Sequence, residues 1–141
     1  MKNLLPVFVS FLCGLPAAPA WAGAQQGQEQ APVVARVDAD GVQRATIVGG
    51  NYFFKPHRLV VKANLPVELS LSREPGIVPH TLVIKAPEAG IVLDQVLDTE
   101  PAKVSFIPTA AGSYPYYCRN KLLFFKSHRK RGMEGVLEVV P

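Results

Sequence analysis

Gly112-Ser-Tyr-Pro-Tyr-Tyr-Cys118, followed after a gap by His128-Arg-Lys-Arg-Gly-Met133-Glu-Gly-Val-Leu-Glu-Val-Val140, is the stretch that decides how this chain is read. A glycine turn leads into an aromatic strand that ends on a thiol. An imidazole and a thioether follow on a loop, and Gly135 to Val140 makes a closing strand. Upstream, a second imidazole, His80, stands in Val78-Pro-His-Thr81. Two imidazole nitrogens, one thiolate and one weak thioether form a donor set that suits copper moving between Cu(I) and Cu(II), with three strong trigonal donors and a long axial Met.

Working outward, the chain shows short strands separated by turn residues. Gln43 to Val48 and Tyr52 to Phe54 flank Gly49-Gly50, a turn or bulge, and Pro56 marks an edge or bend. Arg58 to Lys62 reads as a strand. Val67-Glu-Leu-Ser-Leu-Ser72 alternates, with Val67, Leu69 and Leu71 inward. Arg73 to Pro79 is a loop, and His80 to Lys85 is a buried strand that opens on an imidazole. The segment from Ala86 to Glu100 is less regular, with Ile91 to Leu93 able to pair and room for a short helix. Lys103 to Ile107 alternates again, and Tyr114, Tyr116 and Tyr117 are strand and core residues. About eight short strands, with thirteen prolines and eleven glycines, point to an all-β sandwich or barrel. No internal repeat, phosphate-binding glycine loop or helix long enough for a βαβ unit is present.

The pattern Gly-x-Tyr-x-x-Tyr-Cys, then His-x4-Met-x-Gly-x-Leu-x-Val, resembles the C-terminal half of the cupredoxins, the small blue copper proteins. Phe54-x-Pro56 before Leu59-Val-Val61 resembles the family's early strand, and the match runs from Ile47 to Val140. The resemblance implies a cupredoxin-like Greek-key β-sandwich holding one type 1 copper ion. His80, Cys118 and His128 would be the trigonal ligands and Met133 the axial one. Asn120 and backbone amides near Cys118 would hydrogen-bond the sulfur. The implied role is transfer of single electrons between redox partners, with no catalytic residues.

One feature departs from the small electron shuttles: Arg119 to Ser127 makes a longer gap between the Cys and the second His. That length is more like the copper domains of copper-containing nitrite reductases. Those enzymes need a second copper site and a second domain, whereas this chain has His57, His80 and His128 as its histidines. His57, outside the pattern, reads as a surface residue. An enzyme is therefore not expected.

The 141 residues suit one domain. Met1-Lys-Asn3, an apolar run from Leu4 and then Ala20-Trp-Ala22 read as a secretory signal peptide (1–22) cleaved after Ala22. Residues 23–42 read as a flexible lead-in and 43–141 as the copper-binding domain. Periplasmic or other exported location follows. Cys13 leaves with the leader, so one thiol, Cys118, remains in an oxidising compartment, where a metal-bound thiolate explains its being tolerated.

The net charge is +4. From Arg119 to Arg131 there are Arg119, Lys121, Lys126, Arg129, Lys130 and Arg131 and no acid, around apolar Leu122-Leu-Phe-Phe125. This loop is expected to dock a redox partner through that partner's acidic face. Nucleic acid is a poor match for an exported chain. Contact with an anionic membrane surface, without integration, is a further candidate. The alternative functions are copper storage, delivery or sensing with the same ligands, and a copper-free interaction module on the same fold.

Overall fold

The computed structural model describes residues 30–141. The segment read as a signal peptide and the first part of the expected lead-in lie outside the described residues. Eleven strands form two packed sheets, with no α-helix among the described residues. The strands are β1 (Val33–Val34), β2 (Arg36–Val37), β3 (Gln43–Gly50), β4 (Phe53–Lys55), β5 (Arg58–Lys62), β6 (Val67–Arg73), β7 (His80–Ala86), β8 (Ile91–Leu97), β9 (Ala102–Phe106), β10 (Gly112–Tyr117) and β11 (Glu134–Val140). One sheet runs β1-β5-β11-β10-β7-β8; the other runs β2-β3-β6-β9, with β4 added on β3. This is the expected Greek-key sandwich. The count exceeds eight because β1, β2 and β4 are only two or three residues long.

Two segments differ from the sequence expectation. Val33–Val34 pairs in parallel with β5, and Ala35 is buried in the core. The folded body therefore begins inside the segment read as a flexible lead-in. Ile91–Leu97 is a full strand paired with β7 along its whole length, and the short helix is a single 3-10 turn at Pro87–Ala89. Val92 and Val96 point to solvent on this edge strand while Ile91 and Leu97 are buried. Apolar residues on both faces therefore hid its alternation from sequence.

The core follows from period-two patterning. Val67, Leu69 and Leu71 of β6 are fully buried as expected, and they face Leu82 and Ile84 of β7 and Leu59, Val61 and Leu137 within one apolar cluster. Tyr116 is its largest member. Its ring meets Phe54 edge-on at 5.6 Å, and its hydroxyl donates to the Pro56 carbonyl. A buried phenol is tolerated because that hydrogen bond satisfies it. Gln43 is also buried, and its side chain bonds Lys62 N and O and Leu65 O, tying β3 to the end of β5.

Strand directions set up the site. β10 is antiparallel to both β7 and β11. The start of β7, the end of β10 and the start of β11 therefore lie together at one end of one sheet. His80 opens β7, Cys118 follows β10 and Met133 precedes β11.

Candidate metal centre

The side chains of His80, Cys118 and His128 offer donor atoms that all lie within 4.8 Å of one another, and all three residues are buried. Cys118 Sγ is 3.4 Å from His128 Nδ1. The two imidazole centroids are 5.1 Å apart. Met133 is fully buried, and its backbone fastens the cluster: Cys118 N–H donates to Met133 O at 3.1 Å and Met133 N–H to His128 O at 3.0 Å. His57, read as a surface residue, is exposed and is not among the grouped donors.

The long Cys-to-His gap is reconciled by one backbone bond. His128 N–H donates to Asn120 O at 2.9 Å, which closes the loop at its base. Residues 121–127 are extruded beyond that pinch, so His128 reaches the site despite the insert. His128 then caps a 3-10 turn, Arg129–Arg131, that ends on Gly132 at φ 101°. Glycine accepts that left-handed conformation without a Cβ penalty.

Thr81 supplies the contacts to the sulfur. Its N–H approaches Cys118 Sγ at 3.4 Å, and its hydroxyl lies 3.7 Å from the same atom. Asn120, expected on the sulfur, does not touch it. Its side-chain oxygen accepts from the Thr81 hydroxyl at 2.9 Å and its amide donates to Pro79 O at 3.0 Å. Asn120 therefore holds the strand carrying His80 against the loop carrying His128. Sequence inspection missed Thr81, whose one signal was its place directly after His80.

Tyr52 was missed as well. It sits at φ 62° between β3 and β4, a conformation costly for a bulky residue. From there its ring stands edge-on to both imidazoles, with centroids 5.0 Å from His128 and 6.4 Å from His80. Arg131 stacks on Tyr52 at 3.7 Å and donates to its hydroxyl at 2.8 Å. The basic run is therefore divided. Arg131 stands beside the site, Arg129 pairs with Glu134 at 2.9 Å and stacks on Tyr117, and Arg119 pairs with Asp94 at 2.9 Å.

Both histidines are held below the ordinary imidazole pKa. Burial is the main cause in each; His128 and then Arg73 add to it for His80, and Arg131 for His128. Neutral imidazoles are what a metal requires. His80 Nδ1 is buried with no hydrogen-bond partner among the described residues. Such an orphaned nitrogen is rare in a folded protein unless something else bonds it. The donor set and the orphan both fit a soft metal ion.

The lowered values have a sign. Below the ordinary imidazole pKa of about 6.5, the unfolded chain takes up protons that the folded protein resists. The metal-free protein is therefore fully stabilised above that pH and loses stability as the pH falls through it. Urea midpoints of metal-free protein should drop between about pH 7.5 and 5.5, across the His range, and His80→Gln should flatten the drop. An equally steep profile in the variant would refute the assignment to His80.

No family model and no curated protein matches the sequence. Solved structures do. The metal-binding domain of the Streptococcus pneumoniae D39 Cu(I)-exporting P-type ATPase CopA aligns at a TM-score of 0.59 with 16% identity, over 78% of this chain and 96% of that one. Dithionite-reduced auracyanin from the photosynthetic bacterium Roseiflexus castenholzii aligns at 0.55 with 18% identity, over 70% and 97%. Auracyanin A, a "blue" copper protein from Chloroflexus aurantiacus, aligns at 0.54 with 20% identity, over 71% and 100%. The chain has the cupredoxin fold, with a His-Cys-His cluster at one end of the sandwich.

Proposed function

We propose that this chain is an exported type 1 copper protein that passes single electrons between redox partners. The observation that carries the reading is the buried triad His80, Cys118 and His128, with donors within 4.8 Å, and a buried Met133 whose backbone bonds Cys118 and His128. Cys118 would be the strong thiolate donor, His80 and His128 the imidazole donors and Met133 a weak thioether donor. Bound copper supplies a one-electron couple. The protein's part is rigidity. Three donors sit at ends of paired strands, the fourth is pinned by Asn120 and Met133, and Thr81 steadies the sulfur, so little has to move between oxidation states. Optical and electron paramagnetic resonance spectra of Cu(II)-loaded protein test this. Intense thiolate-to-copper absorption in the visible is expected; a colourless Cu(II) complex of the wild-type chain would end the electron-transfer reading.

A second reading, copper storage or delivery, draws support from the likeness to the CopA metal-binding domain. It also draws support from a depression of about 430 Å³ bordered by His128, Tyr52 and the extruded loop, which offers a path to that ligand. Rapid loss of Cu(I) to a chelator, with slow electron exchange, would select it.

Arg131 tunes the couple on either reading. A cation next to the site disfavours the more positive oxidation state, so Arg131 favours Cu(I). Arg131→Gln should lower the reduction potential by tens of millivolts, on the order expected for one charge about 10 Å away at an effective dielectric near 20. Arg129→Gln should shift it less, because Glu134 already offsets that charge. Voltammetry at low and high salt measures both, and an unchanged or raised potential for Arg131→Gln refutes the claim.

A further inference from the structure

The extruded loop has no role in holding the site, yet its composition is unusual. Leu122, Leu123, Phe124 and Phe125 are 62%, 74%, 100% and 62% exposed. The pinch at Asn120 and His128, and a tight turn in which Phe125 N–H donates to Leu122 O at 2.9 Å, present Leu123 and Phe124 at the tip, with Leu122 and Phe125 beside the body. Ile77, 99% exposed, lines the same depression as Leu122 and Phe125 and extends the apolar surface. Contiguous exposure of this kind marks an interaction site.

The charge around it has one sign. No acidic residue occurs from Arg119 to Met133. Asp94 and Glu134 neutralise Arg119 and Arg129. Among the described residues no carboxylate lies within ion-pair distance of Lys121, Lys126 or Lys130. An apolar apex flanked by unpaired lysines is complementary to an apolar interior beneath an anionic surface. A tip on which Leu123 and Phe124 are largely exposed also needs no contoured pocket to receive it, which a fluid bilayer satisfies.

We propose that Leu122–Phe125 and Ile77 form a membrane-contact element that enters the interfacial layer of an anionic bilayer, with Lys121, Lys126 and Lys130 against the headgroups. His128 lines the depression beside this tip, so docking turns that edge of the metal site toward the membrane. The inference does not depend on the metal, and metal-free protein must bind as well.

Co-sedimentation with large vesicles tests it, using purified protein with and without copper. The protein should partition onto phosphatidylcholine vesicles containing phosphatidylglycerol and not onto phosphatidylcholine alone. Leu123→Ser with Phe124→Ser should weaken partition by about a hundredfold, since burying each side chain is worth roughly a factor of ten. Replacing Lys121, Lys126 and Lys130 by Gln should weaken it by about the same factor, at roughly fivefold per lysine. All five residues are exposed, so melting temperatures should not change. Absence of wild-type binding to the anionic vesicles overturns the proposal. So does binding that survives the serine pair, which is adsorption by charge alone, and so does retention on an immobilised acidic protein without vesicle binding.

Discussion

Cys118→Ser protein is expected to keep its fold and lose its metal chemistry. Cys118 is fully buried and surrounded by Thr81 and His128. A serine hydroxyl fits the same space and can accept from Thr81 N–H, so stability should fall by only about 1–2 kcal/mol, toward the lower end for core changes. The donor change is far larger. A hard, protonated hydroxyl replaces the one soft thiolate, and the remaining imidazoles and thioether hold Cu(I) poorly. Loss of a group that merely steadies a metal ligand lowers affinity by roughly ten- to a hundredfold, and loss of the principal donor should exceed that. Competition with a Cu(I) chelator and the visible spectrum report both effects. Added copper should raise the melting temperature of the wild type and not of the variant, because a ligand stabilises only the state that binds it. A variant that binds Cu(I) as tightly as the wild type would refute the assigned role of the thiol.

The second large effect lies in the frame. Gly135 faces Tyr116 directly across the β10–β11 pair. A Cβ there would overlap the Tyr116 ring and stand 2.7 Å from the His57 carbonyl oxygen. Neither neighbour can retreat freely. Tyr116 is fixed by its hydroxyl bond to Pro56 and its edge-on contact with Phe54, and His57 O accepts from Val136 N–H at 2.8 Å. Gly135→Ala must therefore displace the ring or part the strands. Overpacking typically destabilises by about 1–3 kcal/mol, and an unsatisfied buried hydroxyl adds about 1–3 kcal/mol. A loss of about 3 kcal/mol or more is expected, lowering the melting temperature by roughly 10 °C or more in a domain of this size. Thermal unfolding followed by circular dichroism measures it. Tyr116→Leu removes the clashing ring, so the double variant should lose less than the sum of the singles. An unaltered melting temperature for Gly135→Ala would contradict the close approach described.

Much of the framework was legible without coordinates. The alternation in Val67 to Ser72 assigned Val67, Leu69 and Leu71 to the core, where all three are fully buried. The aromatic run before Cys118 placed a strand, and its Tyr116 proved the largest core residue. The order His80, Cys118, His128 named three buried side chains whose donor atoms meet, and Met133, named with them, is buried with its backbone bonded to Cys118 and His128. Ile91 to Leu97 was legible only in its first three residues, because an edge strand with valines on its solvent face carries no clean period. Val33 to Val37 carried only a weak strand signal, because the two-residue strands Val33–Val34 and Arg36–Val37 leave too short a pattern.

Residue chemistry alone determined that the Cys118 thiol, two imidazoles and a thioether form a soft donor set, and short alternating runs determined an all-β frame. Whether those donors converge depended on strand pairing between residues distant in number. Antiparallel β7, β10 and β11 bring three of them to one sheet end, and the Asn120–His128 bond brings in the fourth. The contacts of Thr81 with the sulfur, of Tyr52 with both imidazoles and of Arg131 with Tyr52 belong wholly to the folded state. Each joins segments far apart in the chain, and such proximity has no signature in local spacing.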